Sequence, residues 1–381
     1  MSHYLDIHAL HTLPPSNINR DDTNAPKTAT FGGVTRQRVS SQAWKKAIRS
    51  DFQQHLDATK IGLRTKRVVS EIVEEIKTLD ADWKDKTPEA ENAVEDLLKT
   101  AGIKTTKPPA KKRAEEPART AGETEYLLFL SRRQIQRIAE AIVKPREKKF
   151  TKKEAQNLVD TEHSVDIAMF GRMVATAANF NVDAAVQVAH ALGVGASEPE
   201  FDYFTAVDDV VARAEETGAG MIGTIQMMSS TLYRYATVDL DRLEENLGSR
   251  KAAIEATGAF VSAFISSMPT GKQNTFANRT LPEAVVVSLR DDRPVSWVNA
   301  FEIPVPAGTE TGRRNEAARK LAEEARNIDA MYDVQPVESW VMALHPLAQH
   351  LEGLGQAVNR TQLLEQLHTT LEKTLGEAPQ A

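Results

Sequence analysis

The sequence predicts a mixed α+β fold in which a helical segment separates the parts of the chain that form the sheet. Apolar and polar residues alternate over residues 4–10, and short apolar runs recur near residues 222–238 and 284–289, as in strands. Apolar residues recur at helical spacing over residues 44–52. Residues 60–160 are highly charged and show only helical spacing, which indicates an insertion between sheet-forming segments.

The first predicted element is a strand buried on one face only. Leu5, Ile7 and Ala9 fall on one side of it, and polar side chains fall on the other. A long loop follows, and a loop of that length is usually functional or disordered. A helix is then predicted to begin at Ser40 or Ser41, because both residue types favour the N-cap. Its apolar stripe consists of Trp44, Ala47, Ile48 and Phe52.

The insertion is predicted to contain amphipathic helices at residues 68–76 and 135–142. Thr151 and Glu154 have the spacing of a capping box, which predicts the start of a further short helix. Residues 104–119, which combine prolines with many charges, are typical of a flexible surface loop.

The second half of the chain returns to strand character. We expect a strand at residues 165–169 and a helix at residues 182–189, from their period-2 and helical spacings. In the next predicted helix, Gly258 lies on the apolar face, where a missing side chain would let a neighbour pack closely. The helix that contains Gly258 is predicted at residues 254–268. The remaining predictions are strands at 222–228, 231–238 and 284–289, an extended segment at 295–305 and helices beyond about 312.

This order of elements favours one kind of α+β sandwich. The outer parts read strand, helix, strand, helix, strand, strand, with the helical insertion after the first helix. Such an order suits a ferredoxin-like or RNA-recognition fold, whose sheet face is a common platform for single-stranded RNA.

Composition narrows the classes of function. The 381 residues include no cysteine, which excludes disulfides and thiolate metal sites and fits a reducing cytoplasm. No secretory signal is visible, and no apolar run approaches the roughly 20 residues of a membrane span. Because the formal net charge is −6, a site for nucleic acid has to be a local basic stripe.

Such a stripe is present between residues 27 and 49, which contain six basic side chains and no acidic one. Cations held apart from carboxylates suit a polyanion, because each neutralised phosphate releases counterions. A solvated helix face is the alternative explanation for charge alone. Gly32 and Gly33 allow the backbone to approach a ligand, and Ser40, Ser41 and Gln42 offer neutral donors at a helix start.

No catalytic triad, zinc signature, P-loop or dinucleotide fingerprint is found. The loop around Arg20 fits an RNA contact or a simple surface turn, and its adjacent Asp21 and Asp22 leave a Mg²⁺ site open as a weaker alternative. The loop 271–275 offers donors, although it would also pass for an ordinary turn. Tyr203 and Phe204 could stack on bases or simply pack within a hairpin.

Several longer motifs occur in a specific order along the chain. They are Asn19-Arg20-Asp21-Asp22, Phe31-Gly32-Gly33, Arg38-Val39-Ser40-Ser41-Gln42, Lys45-Lys46, Val165-Asp166-Ile167-Ala168, Gly171-Arg172-Met173, Phe204-Thr205-Ala206-Val207-Asp208-Asp209, Tyr233-Arg234-Tyr235-Ala236 and Asn299-Ala300-Phe301. With these motifs the chain resembles the repeated backbone subunit of the type I-E CRISPR surveillance complex, Cascade. The helical region 60–160 and the tail beyond 310 carry little of the resemblance.

The resemblance implies a right-hand-like subunit with a modified RNA-recognition (ferredoxin-like) palm, a helical fingers insertion and an extended thumb hairpin. The corresponding domains are palm at 1–59, fingers at 60–162, palm at 163–192, thumb at 193–224, and the remaining palm with C-terminal helices at 225–381. It further implies a helical filament of about six copies along the CRISPR RNA. The target DNA strand and other Cascade subunits are the further partners, and no cofactor is expected.

The resemblance also implies which residues bind RNA. It assigns Asn19, Arg20, Lys27, Arg38, Ser40, Ser41, Gln42, Lys45, Lys46, Arg49 and Met173 to the guide, and Tyr203, Phe204 and Thr205 to the thumb. To these predicted RNA-binding residues we add Arg36 of the basic stretch, Arg172 beside Met173, and Lys272, Gln273 and Asn274 of the donor loop. Met173 falls where the family places an apolar side chain against the guide bases. No catalytic or metal-binding residue is expected. A metal-dependent RNA-cleaving subunit of the type III kind and a free-standing RNA-recognition protein are the alternatives.

Overall fold

A computed structural model describes residues 2–107, 121–145, 148–174, 177–207, 219–308 and 312–376. The chain divides into two compact units. Unit 1 comprises residues 1–51, 187–240 and 257–381, and unit 2 comprises residues 52–186 and 241–256. The helical segment predicted at 60–162 lies within unit 2.

Fourteen strands are found in the described residues. They are β1 (Tyr4–Ser16), β2 (Thr28–Phe31), β3 (Val34–Val39), β4 (Gly62–Thr65), β5 (Thr105–Thr106), β6 (Glu123–Thr124), β7 (Leu128–Ser131), β8 (Val186–Val188), β9 (Ala191–Gly193), β10 (Glu200–Val207), β11 (Ala219–Asp239), β12 (Ala284–Arg290), β13 (Glu338–Ala343) and β14 (Gln356–Ala357). Ten of them form one sheet in the order β14-β13-β12-β1-β11-β9-β3-β2, and both β8 and β10 pair with β11.

The same residues form twelve helices. They are α1 (Ser41–His55), α2 (Val68–Leu79), α3 (Thr87–Ala101), α4 (Arg132–Val143), α5 (Lys152–Asp160), α6 (Val165–Phe170), α7 (Leu240–Leu247), α8 (Arg250–Ser266), α9 (Gln273–Phe276), α10 (Arg313–Tyr332), α11 (Leu347–His350) and α12 (Arg360–Gly376). Each of them is too short or too polar to span a lipid bilayer.

The centre of the large sheet has the strand order of a ferredoxin-like fold. Four neighbouring strands are β12, β1, β11 and β9, and along the chain they follow as β1, α1, β9, β11, α8 and β12. This βαββαβ order, with the first and third strands in the middle, defines that topology. The predicted mixed α+β fold is therefore confirmed.

Both faces of this sheet are buried, which corrects the prediction of a half-buried first strand. On one face, Leu232 packs with Trp44 of α1. On the other, Leu10 and Tyr233 pack with the segment 295–305 and the alanines of α10. The polar residues Asp6 and His8 of β1 are consequently 0% exposed. The sheet face that was expected to serve as an RNA platform is covered by the chain itself.

Unit 2 is organised around its own helical core. Apolar side chains of α2, α3, α4 and α5 meet there, with strands β4 and β7 forming a short antiparallel ladder beside them. The predicted capping box is present, since Thr151 Oγ1 accepts from the amide of Glu154 while the Glu154 carboxylate accepts from the amide of Thr151. Most of the predicted loop 104–119 lies outside the described residues.

Two short segments were assigned to the wrong class. Residues 165–169 form helix α6 rather than a strand. Asp166 Oδ1 accepts a hydrogen bond from the amide of Gly62, and the helix ends at Gly171, whose φ is +78°. Residues 182–189 contain strand β8 rather than a helix. In segments this short, period-2 and period-3.6 patterns contain almost the same residues.

Three further differences concern the second half of the chain. The strands expected at 222–228 and 231–238 are one continuous strand, β11. Within 295–305 lies a 3₁₀ turn, Val298–Phe301. Gly258 faces open space, with no atom within 4 Å of a Cβ built there, so its position does not reflect close packing.

Candidate nucleic-acid interface

The loop between β1 and β2 is fixed by its own polar side chains. Asn17 Nδ2 donates to the carbonyl oxygens of Asn24 and Gln226, at 3.0 and 2.9 Å. Asn19 Oδ1 accepts from the amide of Ser40 at 2.8 Å, and the carbonyl of Asn19 accepts from the amide of Lys27 at 2.9 Å. The loop predicted to contact RNA is thereby attached to the start of α1.

The carboxylate of Asp21 closes the tip of this loop. It accepts from the amide and hydroxyl of Thr23, at 2.9 and 2.8 Å, and from the amide of Ala25 at 3.0 Å. These bonds, led by the Thr23 hydroxyl, lower the pKa of Asp21 below its ordinary value. Arg20 is exposed and donates to Asn24 Oδ1 at 3.3 Å. The described residues contain no group of three or more His, Asp or Glu side chains placed to hold a metal ion.

The glycine pair connects β2 to β3 in a tight hairpin. Gly32 has φ +59°, and a Cβ at this position would lie 1.7 Å from the carbonyl oxygen of Glu302. Gly33 has φ +75° and faces open space. At Gly32, therefore, the close backbone approach inferred from the sequence is to the chain's own segment around residue 302 rather than to a ligand.

Arg36 is placed differently from its prediction as an RNA-binding residue. Its side chain is 0% exposed. The guanidinium donates to the carbonyl oxygens of Phe31, Gly193, Phe301 and Glu302 at 3.0–3.2 Å. It fixes the β2–β3 hairpin to the rest of unit 1, so burial replaces the expected contact with RNA. Sequence patterns show the charge of an arginine but not its burial.

Arg172 and Met173 belong to unit 2 and have opposite environments. Arg172 is 4% exposed and pairs with Asp160 at 2.6 Å while donating to the carbonyls of Phe180 and Val159. Its predicted role in binding RNA is replaced by a structural one. Met173 is 80% exposed, as a side chain that contacts a ligand would be.

The start of α1 brings several predicted residues together. Arg38 donates from Nε to the carbonyl of Thr28 at 3.2 Å, and its amide donates to the carbonyl of Lys27 at 2.9 Å. Arg38 Nη1 and the amide of Ser41 both lie close to Nδ1 of His190, at 3.3 and 3.2 Å. Burial, then the charges of Arg38 and Lys27, lower the pKa of His190.

His190 was not among the predicted site residues. Its imidazole is exposed. His190 follows residues 182–189, which were predicted to be a helix but contain β8, and it lies between β8 and β9. No signal in the sequence linked His190 to Arg38 and Ser41, which lie about 150 residues earlier.

Helix α1 separates apolar and basic side chains as its pattern predicted. Trp44, Ile48 and Phe52 are buried. Gln42 and Lys46 are exposed, whereas Ser41, Lys45 and Arg49 are intermediate. Partial burial lowers the pKa of Lys45.

A buried arginine supports α1 from the sheet. The Arg234 guanidinium lies 3.7 Å from the ring centroid of Trp44 and 4.3 Å from that of Phe264 in α8. It also donates to His11 Nδ1 at 3.1 Å and to the carbonyl of Phe264 at 2.6 Å. Stacking and hydrogen bonding together fix the orientation of α1 on the sheet.

The donor loop between α8 and β12 packs against the first loop. A Cβ at Gly271 would lie 2.3 Å from the carbonyl oxygen of Ile18. The neighbouring Lys272 adopts a left-handed conformation, with φ +51°, before the short helix α9 that contains Gln273 and Asn274. Strained backbone of this kind concentrates at functional sites. Lys272, Gln273 and Asn274 are thus held beside the Asn17–Lys27 loop.

The β10–β11 hairpin contains the predicted thumb residues. Phe204 pairs with Gly223 across the ladder, and its ring covers that glycine, since a Cβ there would lie 2.5 Å from it. Tyr203 is 63% exposed, and Phe201, which was not predicted, is 69% exposed on the same face. Thr205 is exposed. The tip of the hairpin, at 208–218, lies outside the described residues.

Unit 1 therefore gathers exposed or half-exposed donors from three segments. The loop before β2 contributes Arg20 and Lys27, α1 contributes Gln42, Lys45, Lys46 and Arg49, and the Gly271 loop contributes Lys272. Such a surface can bind the phosphate backbone of a nucleic acid without recognising the base sequence.

Comparison with known proteins gives a consistent result. A family described as CT1975-like protein matches residues 5–370. A solved chain from a "CRISPR RNA-guided surveillance complex, pre-nicking" is 33% identical with a TM-score of 0.81, covering 97% of this chain and 100% of that one. A second, from a "CRISPR RNA-guided surveillance complex", is 28% identical with a TM-score of 0.61, covering 96% and 99%. No curated protein sequence matches. Because the family match spans nearly the whole sequence, this chain belongs to the CT1975-like protein family.

Proposed function

We propose that this chain is a non-catalytic, guide RNA-binding backbone subunit of a CRISPR surveillance complex of type I-E. In this role about six copies assemble along the CRISPR RNA in the cytoplasm, together with other Cascade subunits. They present the guide for pairing with the target DNA strand. The observation that supports the proposal most is the 33% identity to a surveillance-complex chain over 97% of the sequence.

The geometry of unit 1 supports this role independently. A backbone subunit has to hold many different guides, so its contacts should involve phosphates rather than bases. Lys27, Arg38 and Lys46 supply cations on segments whose backbone is fixed by hydrogen bonds. Sequence recognition is then left to pairing between guide and target.

The path proposed for the RNA differs from that of an ordinary RNA-recognition domain. In such domains the bases stack on the sheet face. Here β1 and β11 are buried beneath α10 and the 295–305 segment. We therefore place the RNA along the surface formed by the first loop, the start of α1 and the Gly271 loop.

Copurification tests the proposal most directly. The chain, expressed in cells containing a CRISPR array, should carry short RNAs whose sequences alternate between repeat and spacer. Bulk cellular RNA in the preparation, or none, would contradict the proposal. A mass that stays monomeric with bound guide RNA would instead support a free-standing RNA-recognition protein.

The salt dependence of RNA binding should show how many lysines of α1 contact phosphates. Replacing Lys45 and Lys46 with Ala should weaken binding to unrelated RNA sequences equally and lower the slope of log K against log salt by about one for each lost phosphate contact. The matched control replaces Lys251 and Lys320, which lie on α8 and α10, and should leave the slope unchanged. A loss restricted to one RNA sequence would contradict backbone binding.

The absence of catalysis has its own test. The Asp21 carboxylate already accepts three hydrogen bonds, which favours a role in shaping the loop over metal binding. Purified complex should leave labelled complementary RNA and DNA intact in Mg²⁺ and in Mn²⁺. Cleavage that disappears in Asp21→Ala or Asp22→Ala would support the metal-dependent RNA-cleaving alternative.

A further inference from the structure

The amides of Ser40, Ser41 and Ala43, at the start of α1, are already occupied within the protein. Asn19 Oδ1 accepts from the amide of Ser40, His190 Nδ1 accepts from the amide of Ser41, and Ser40 Oγ accepts from the amide of Ala43. A phosphate therefore cannot take these donors, as anions do at an open helix N-terminus. Of the donors that the sequence suggested at this point, the amides of Ser40 and Ser41 are therefore not free.

The hydrogen bonds around His190 determine its tautomer. The amide of Ser41 and the guanidinium of Arg38 can only donate, so Nδ1 is the acceptor and carries no hydrogen, and its single lone pair is shared between the two donors. The proton of the neutral ring consequently lies on Nε2. The Ser41 amide and the ring with this N–H form two hydrogen-bonding groups in series. Because the imidazole is exposed, the N–H on Nε2 is the end of the series that can donate to a ligand.

We infer that His190 is a further RNA-binding residue, whose neutral ring relays the donor of Ser41 to a phosphate oxygen of the guide. The inference rests on the proposed function and assigns one more contact to the same surface. Hydrogen bonds in series polarise one another, and the positive end of the α1 dipole reinforces the donor. Lys27 and Arg38, the charged groups that act on the imidazole, both attract an anion to this point.

The relay makes a distinctive prediction, because a neutral donor contributes affinity without releasing counterions. His190→Ala should weaken binding to any single-stranded RNA by roughly five- to tenfold while leaving the salt slope unchanged. Lys46→Ala, the charged comparison, should lower the slope by about one. His190→Asn keeps an acceptor near Nδ1, and His190→Gln places a donor near Nε2, so each should recover part of the lost affinity.

The experiment measures binding of the full chain to a mixed-sequence RNA at four salt concentrations. Wild-type affinity in His190→Ala would overturn the phosphate contact. Full recovery of affinity in His190→Asn but not in His190→Gln would also overturn it, because His190 would then serve only as a cap for α1. A lower salt slope in His190→Ala would show a charged imidazole and overturn the neutral relay. If the wild-type chain fails to bind RNA, the proposed function is overturned, and this inference with it. This outcome can be recognised because all variants then behave alike.

Discussion

Arg234 is a buried cation, and the contacts described for its side chain include no carboxylate. Burial lowers its pKa to about 9, and its partners are two aromatic rings, the neutral His11 and one carbonyl. Desolvation of such a charge is costly. Its stabilising contribution therefore depends on packing between Trp44 and Phe264 as much as on charge.

Shortening this side chain should destabilise unit 1 strongly. Arg234→Ala leaves a cavity between two rings and should cost about 3 kcal/mol or more, as other large-to-small core changes do. Arg234→Met keeps the apolar stem and removes the buried charge, so it should recover about half of that loss. Urea unfolding followed by tryptophan fluorescence measures both. Equal losses in the two variants would show that hydrogen bonding, rather than packing, dominates.

Two buried histidines of β1 should make stability depend on pH. Burial lowers the pKa of His11 to about 3 and that of His8 well below its ordinary value of 6.5. The unfolded chain then binds more protons than the folded one below about pH 6.5, so stability decreases as the pH falls. Between pH 7.5 and 5.5 each histidine should account for about 1.4 kcal/mol.

The control for this dependence is His11→Asn, which retains an acceptor for Arg234 but cannot titrate. Its loss of stability between pH 7.5 and 5.5 should be smaller than that of the wild type by about one histidine's share. Asp6, whose pKa burial raises above its ordinary value, is present in both proteins, so its contribution cancels in the difference between them. An unchanged pH dependence in His11→Asn would contradict the assignment.

Among the elements, the loop that contains Gly271 shows how backbone contact positions a site. Gly271→Ala would force a Cβ to within 2.3 Å of the Ile18 carbonyl oxygen and separate the loop from its support. RNA affinity should fall by roughly fivefold, or about 1 kcal/mol, because Lys272 then moves away from the interface. Filter binding or fluorescence anisotropy at fixed salt measures this change.

Gly258→Ala in α8 is the matched control, since nothing lies within 4 Å of its Cβ. It should leave RNA affinity unchanged and stabilise the protein by about 0.5–1 kcal/mol, because alanine favours a helix interior over glycine. If both glycine variants bound RNA as the wild type does, the Gly271 loop would lie outside the interface.

Element type was predictable where the pattern was long. α1, α2, α4 and α8 each repeat an apolar stripe over three or more turns, and the period is then unambiguous. α6 has only six residues, so hydrogen bonds to Gly62 and Ser164 decided its conformation instead. The strands β13 and β14 were missed within a region that reads as helical.

The candidate site was predictable as a segment but not residue by residue. The acid-free stretch from 27 to 49 does supply five exposed or half-exposed cations, which are Lys27, Arg38, Lys45, Lys46 and Arg49. Arg36 within it is buried, because three carbonyls from distant segments converge on it. His190 was missed for the complementary reason. Contacts across about 150 residues of sequence leave no local pattern.

At the scale of the whole molecule, the remaining feature is an aromatic face on the β10–β11 hairpin. Phe201 and Tyr203 are 69% and 63% exposed, which is unusual for large apolar side chains on a strand with its own partner. Phe204, by contrast, packs over Gly223 within the hairpin. The exposed pair is thus available to a second copy of the chain or to RNA.

Replacing both exposed residues should therefore block assembly without unfolding the chain. Phe201→Ser with Tyr203→Ser should change stability by no more than about 0.5 kcal/mol, as surface changes usually do. On a single-stranded RNA long enough for six copies, native mass spectrometry should find mainly isolated subunits instead of a continuous array. Tyr332→Ser, which removes an equally exposed aromatic ring from α10, is the control and should assemble normally. Normal arrays from the double variant would show that this face is not used in assembly, and the thumb assignment would then have to be abandoned.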